Sequence, residues 1–188
     1  DVFYGVGYDY RASIVGLNLP FDISRLAIDH SPARGMGWNK IMRGGFSFQL
    51  SPNPDRPRVQ IKHASSRQSF IQFVATRGQR TTKGNRKKGR TEPVRRGYFV
   101  DIKTLGAALT STSHSLESLA KAMRVESRKH ETDAHGRTLT TEYIDYAMRD
   151  TQTTWECFVA LNALYTQHGL TLTAPHQILS EASLGKAY

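Results

Sequence analysis

Two pairs of side chains and one run of cations stand out in this chain of 188 residues. Asn18 and Asp22 are four apart and follow directly on the apolar stretch ASIVGL at 12–17. Four-residue spacing puts both side chains on one side of a first helical turn. An aspartate at the carboxyl end of a strand is well placed to hold a hard cation, which takes oxygen ligands. A plainer reading competes: Asn caps a helix and Asp favours its positive end. Tyr146 and Asp150 repeat the spacing inside a long helical pattern, so phenol and carboxylate share a face. A tyrosine beside a metal-held carboxylate could orient an attacking water; the alternative is a core tyrosine next to a solvated acid. Asp145 and Arg149 point elsewhere around that helix.

The cations lie between Arg77 and Arg96, where nine basic residues (Arg77, Arg80, Lys83, Arg86, Lys87, Lys88, Arg90, Arg95, Arg96) meet one acid, Glu92. Such a run neutralises phosphates and gives affinity that depends steeply on salt. Its centre is Arg86, Lys87, Lys88 and Arg90. Phe70, Phe73, Tyr98 and Phe99 flank the run without interleaving, so a base-stacking platform is not indicated. The alternative is a solvated loop without a partner.

Other patterns fail on spacing. His130 and His135 are five apart around Glu131, not the four a zinc-protease helix needs. Gly5-Val6-Gly7 is followed by Tyr10 where a dinucleotide fingerprint has its third glycine. Ser183-Leu184-Gly185-Lys186 lacks the upstream glycine and the following Ser or Thr of a phosphate loop. The single cysteine, Cys157, sits among apolar residues and reads as core.

Positioning these residues requires an ordered set of elements. ASIVGL reads as a short strand, and a helix follows from Asn18, with Pro20 in its first turn, ending before Ser31-Pro32. Residues 33–45 are glycine-rich and read as a loop. FSFQL (46–50), VQIKH (59–63) and FIQFVA (70–75) read as strands joined by Pro- and Ser-containing turns. After the basic run, GYFVDI (97–102) returns to strand, and KTLGAALT (103–110) and SLESLAKAMRV (115–125) read as helices. Ser115 caps the second of these, though Ser118 stands where a capping box has Glu or Gln, so the start signal is partial. The longest helical periodicity runs from Thr141 to about His168, with Gly169 as its stop. A short helix is expected from Ser180. The order strand–helix–(strands with basic arm)–strand–helices implies an α/β or α+β domain with an insertion at 33–96.

Composition bounds the function. Hydrophobic residues make up 38% and charged residues 22%, enough for a real core. No apolar run is long enough to span a membrane, and one cysteine excludes a disulfide framework or a Cys-rich zinc site. Formal net charge is +10, and the segment 77–96 carries +8 of it (nine bases less one acid), leaving +2 elsewhere. The chain is an ordinary domain with a basic arm.

Taken in order, strand–N-x-x-x-D–helix (Asn18, Asp22), a strand ending Phe99-Val100-Asp101, and Y-x-x-x-D on a late helix (Tyr146, Asp150) resemble the second half of the proofreading 3′–5′ exonucleases. These belong to the ribonuclease H-like superfamily, in the group with a tyrosine in its third motif. GLNLPFDISRLA, FVDIKTLGAAL with HSLESLAKAM, and EYIDYAMRDTQTTWECF are similar to exonuclease regions of DNA polymerases, and SEASLGKAY is similar to a segment leading onward in polymerase-like phage or bacterial proteins. The resemblance spans most of the chain except 33–96. The family's first motif, D-x-E, has no counterpart before Asn18: Asp1 precedes Val2-Phe3, and Asp9 precedes Tyr10-Arg11. The missing opening strands are expected upstream of Asp1, and a polymerase region downstream of 176–188.

The resemblance implies the second half of a three-layer α/β ribonuclease H-like fold and two-metal phosphodiester hydrolysis at single-stranded DNA 3′ ends. It implies Mg²⁺ or Mn²⁺ held in part by Asp22 and Asp150, Tyr146 positioning the water, and Asn18 supporting the site at the strand end or the substrate. With the D-x-E carboxylates absent from this chain, metal affinity and hydrolysis by it alone are expected to be low. The basic arm would touch nucleic acid through Arg86, Lys87, Lys88 and Arg90. No membrane partner is expected, and the location implied is cytoplasmic, of bacterial or phage type. Two other readings stay open: a ribonuclease H-like module that binds nucleic acid without cutting it, and a basic adaptor whose Asp22 and Asp150 are structural. Neutralising Arg86, Lys87, Lys88 and Arg90 together should flatten the slope of log affinity for single-stranded DNA against log salt by roughly 3, read by oligonucleotide anisotropy across a salt series.

Overall fold

A computed structural model describes residues 2–33, 44–75, 94–126 and 140–188. The chain is of mixed α/β class. It divides into two compact units, Asp1–Ile14 with Leu19–Phe99, and Val15–Asn18 with Val100–Tyr188. The basic residues Arg86, Lys87, Lys88 and Arg90 lie outside the described residues.

The first unit opens on a helical turn, α1 (Val2–Tyr4), continued by a π-helical turn at Gly5–Asp9. After the strand β1 (Ser13–Gly16) comes α2 (Leu19–Leu26). Four antiparallel strands then pair in sequence order: β2 (Asp29–Pro32), β3 (Phe46–Gln49), β4 (Arg58–Ser65) and β5 (Gln68–Val74). The alternation of β4 decides which face is buried. Val59 and Ile61 face inward opposite Phe73 and Ile71, and Leu19 and Ile23, four apart on α2, join the same cluster with Tyr4 and Phe99. Phe73 is its hub, with the Phe99, Tyr8 and Tyr4 rings at 4.9, 5.0 and 6.0 Å. The other face is polar. Arg58 reaches Ser47, Gln49 and Asp29, and Gln72 donates to Gln60. Gly97 has φ +79°, and a Cβ there would lie 2.5 Å from the Phe73 ring, so only glycine lets the chain pass this hub.

The second unit is helical apart from strand ends. The strand β6 (Tyr98–Asp101) pairs with β1 in a two-stranded sheet and runs straight into α3 (Ile102–Thr110). α4 (Leu116–Ala122), α5 (Thr141–Thr166), a 3₁₀ turn at Pro175–Gln177 and α6 (Glu181–Gly185) follow. Its core joins Ile102, Leu105 and Ala108 of α3 to Leu119 and Ala120 of α4, and to Cys157, Leu161 and Tyr165 at four-residue spacing on α5. Ile178 closes it. Among the described residues no helix is long and apolar enough to cross a membrane.

Several elements differ from the sequence reading. Asp29–Pro32 is a strand, although it carries no apolar β-former. Pairing with β3 creates it, and Pro32 is tolerated because β2 is an edge. The sheet therefore begins before residue 33 and shares its core with α1 and α2. Ile102 starts a helix instead of ending a strand. The α4 capping box is complete with serine: Ser118 N–H donates to Ser115 Oγ (3.2 Å), and Ser115 N–H donates to Ser118 Oγ (2.9 Å). A hydroxyl accepts that bond as a carboxylate would.

Asp101 caps α3 and ties two separate stretches of the second unit together. Its Oδ1 accepts Lys103 N–H (3.2 Å) and Asn18 N–H (2.8 Å), and its Oδ2 accepts the Thr104 hydroxyl (3.1 Å). Asp101→Ala removes a cap and leaves buried donors without partners, so it should cost about 3 kcal/mol of unfolding free energy, measured by urea denaturation against Glu117→Ala, an exposed α4 control.

Candidate functional site

The sequence-predicted site residues fall in both units. Asp22 is exposed in the first turn of α2, whose Leu19 and Ile23 are packed into the first unit. Asn18, Tyr146 and Asp150 belong to the second.

Asn18 has φ +63°, the left-handed region, where Asn is among the few tolerated non-glycine residues. A helix cap takes extended backbone instead. Its backbone N–H meets the end of β6 through Asp101, so the contact with a strand end that the resemblance implied is made by main chain. Asp101 is 7% exposed. Burial raises its pKa, against the lowering effect of the Asn18 N–H, the Thr104 hydroxyl and the Lys103 N–H and ammonium. With both oxygens engaged, it is a structural carboxylate.

Tyr146 and Asp150 do pair. Both are half-buried on α5, where spacing places them on the side that carries Thr153, Cys157 and Leu161 into the core. The Tyr146 hydroxyl donates to the Asp150 carboxylate. Burial, then that bond, the Asp150 charge and Tyr143 push the phenol up to about 12. The phenol is therefore protonated at neutral pH and acts as a donor.

The sharpest local feature is what the pair leaves over. Asp150 Oδ1 is buried without a hydrogen-bond partner, and so is Thr153 Oγ1, three residues on. Spacing of three puts both oxygens on one face in successive turns. Buried polar atoms in folded proteins are nearly always satisfied, and an unpaired buried carboxylate oxygen is costly. Carboxylate and hydroxyl oxygens are the donors that Mg²⁺ and Mn²⁺ prefer, so the two fit such an ion by type. They are too few to hold it unaided, and among the described residues no group of three or more His, Cys, Asp or Glu is gathered for a metal. Thr153 escaped the sequence reading because its signal, a hydroxyl one turn beyond Asp150 on the same face, has meaning only once that face is known to be buried. Cys157 is fully buried, and burial pushes its thiol up to about 11, which leaves it an unreactive core residue.

No protein-family model, curated protein or solved structure matches the chain.

The Tyr146 shift has a direct readout. Its folded pKa lies above the unfolded value of 10.0, so its contribution to stability is fully present below pH 10 and is lost as pH rises through about 12. In a difference titration of tyrosinate absorbance against Tyr146→Phe, the phenol should ionise near 12. Asp150→Asn should bring that value only part of the way down, because burial is the larger cause.

Proposed function

We propose that the chain is part of a divalent-metal-dependent 3′–5′ exonuclease of the proofreading type, with a ribonuclease H-like fold, hydrolysing phosphodiesters at single-stranded DNA 3′ ends. One observation carries the reading: Asp150 Oδ1 is buried and unpartnered on the helix face where Tyr146 holds the same carboxylate. A buried, uncommitted carboxylate oxygen next to a tyrosine hydroxyl is what a metal-ligating acid beside a water-orienting tyrosine requires. The order of the Asn18–Asp22 and Tyr146–Asp150 pairs along the chain supports it.

In this reading divalent ions, when bound, would supply Lewis-acid stabilisation of the developing charge. Asp150 would present its unpartnered oxygen as a ligand, and Asp22 is the other carboxylate that the resemblance implies. Tyr146 fixes the Asp150 carboxylate by donating to it. The phenol oxygen keeps lone pairs with which to orient a water. It does not take that water's proton, because a phenol ionising near 12 is already protonated at neutral pH and cannot act as the base. The basic segment 77–96 supplies attraction to phosphate.

A second reading is a ribonuclease H-like module that binds nucleic acid without cutting it. It rests on the concentration of cations in 77–96, which attracts phosphate without any metal-held carboxylate. Mn²⁺ titration followed by electron paramagnetic resonance separates the readings. The exonuclease reading expects weak binding that falls about tenfold or more in Asp150→Asn and in Asp22→Asn, with slow shortening of a 3′-labelled single-stranded oligonucleotide. Mn²⁺ binding indifferent to both substitutions would overturn it.

A further inference from the structure

α5 presents apolar side chains on two sides, and the second unit's core uses one. Thr153, Cys157, Leu161 and Tyr165 are buried. Ile144, Met148, Trp155 and Val159 are 49, 66, 52 and 49% exposed. Their offsets of four, eleven and fifteen residues from Ile144 confine them to a stripe about 60° wide, at 100° per residue. The surface they share is an open hollow lined by α5 residues alone, Ile144, Met148, Thr151 and Trp155 among them. This stripe is on the far side of the helix from Asp150 and is independent of the proposed nuclease chemistry.

We infer that this outer face of α5 docks an amphipathic helix of a partner protein with cationic side chains on its flanks. Length and periodicity point to a helix. Ile144 to Val159 spans about 22 Å, or four turns, and anchors spaced four, seven and four residues apart along one stripe match a second helix packed alongside. Charge decides the partner's chemistry. One edge of the stripe is the row Asp145, Arg149, Gln152 and Glu156, preceded by Glu142. Three carboxylates there face one guanidinium, and Glu156 is held in place by a 2.7 Å bond from Gln152. That edge repels phosphate, so neither a nucleic acid nor an anionic lipid surface suits it. A second copy does not suit it either. A parallel pair of helices sets this acidic row against the edge of Ala147, Thr151 and Phe158, which offers no cation, and an antiparallel two-fold pair sets it against itself. A basic flank complements it, and such complementarity sets partner choice.

The test uses a fluorescein-labelled sixteen-residue helical peptide with leucines on one face and lysines along both flanks, and a twin with glutamates in place of the lysines. The chain's net charge of +10 favours the glutamate peptide non-specifically, so a preference for lysine can come only from a local acidic edge. Anisotropy should show saturable binding of the lysine peptide, at least about tenfold tighter than the twin. Met148→Asp, checked for native circular dichroism, should weaken it at least about tenfold, and Asp145→Lys with Glu156→Lys should erase the preference. No saturable binding, equal affinity for the two peptides, or indifference to Met148→Asp would overturn the inference. So would a dimer in sedimentation that Met148→Asp dissolves.

Discussion

A carboxylate withdrawn from water survives in a fold only if donors replace the lost hydration. Asp101 meets that condition three times over, through the Asn18 and Lys103 N–H groups and the Thr104 hydroxyl. Because Asn18 and Asp101 are 83 residues apart, the same carboxylate joins the end of β1 to the start of α3. The chain runs into the second unit twice, at Val15 and at Val100, and Asp101 ties those two stretches together. The helices behind it, α3 with α4 and α5, then pack a core in which Leu119, Cys157 and Leu161 are fully buried.

Asp150 makes the contrasting case. Its carboxylate receives the Tyr146 hydroxyl, yet Oδ1 remains buried with nothing to accept, beside a Thr153 hydroxyl in the same state. Where Asp101 is satisfied and structural, Asp150 has unmet valence. Sites that work on ligands leave such groups for the ligand to complete, because a fully satisfied site gains little from binding. The difference between two aspartates of one unit is thus a difference in how many donors packing brings to each.

Much of the local structure was legible. β4 shows period-two alternation of Val59 and Ile61 against polar neighbours, β5 is an apolar run around Ile71 and Phe73, and the expected strands are present. Thr140, Ser115 and Ser180 cap α5, α4 and α6, since a hydroxyl can reach the N–H groups of the first turn without help from the rest of the chain. β2 was not legible, because Asp29-His30-Ser31-Pro32 has no strand propensity and is extended only by its ladder with β3. Nor was it visible that α2, with Asp22, shares a core with Val59, Ile61 and Phe73, as that depends on contacts across some fifty positions of chain.

By itself the sequence determined the α/β character, the positions of β4, β5 and most of the helices, the four-residue spacing that lets Tyr146 meet Asp150, and the concentration of charge in 77–96. All of these follow from covalent spacing and composition, which reach only a turn or two along the chain. Tertiary structure decided which oxygens are cut off from water, which side of α5 is covered, and which unit each aspartate joins. Desolvation depends on what packs around an atom, and spacing along one helix does not say which of its faces the rest of the chain covers.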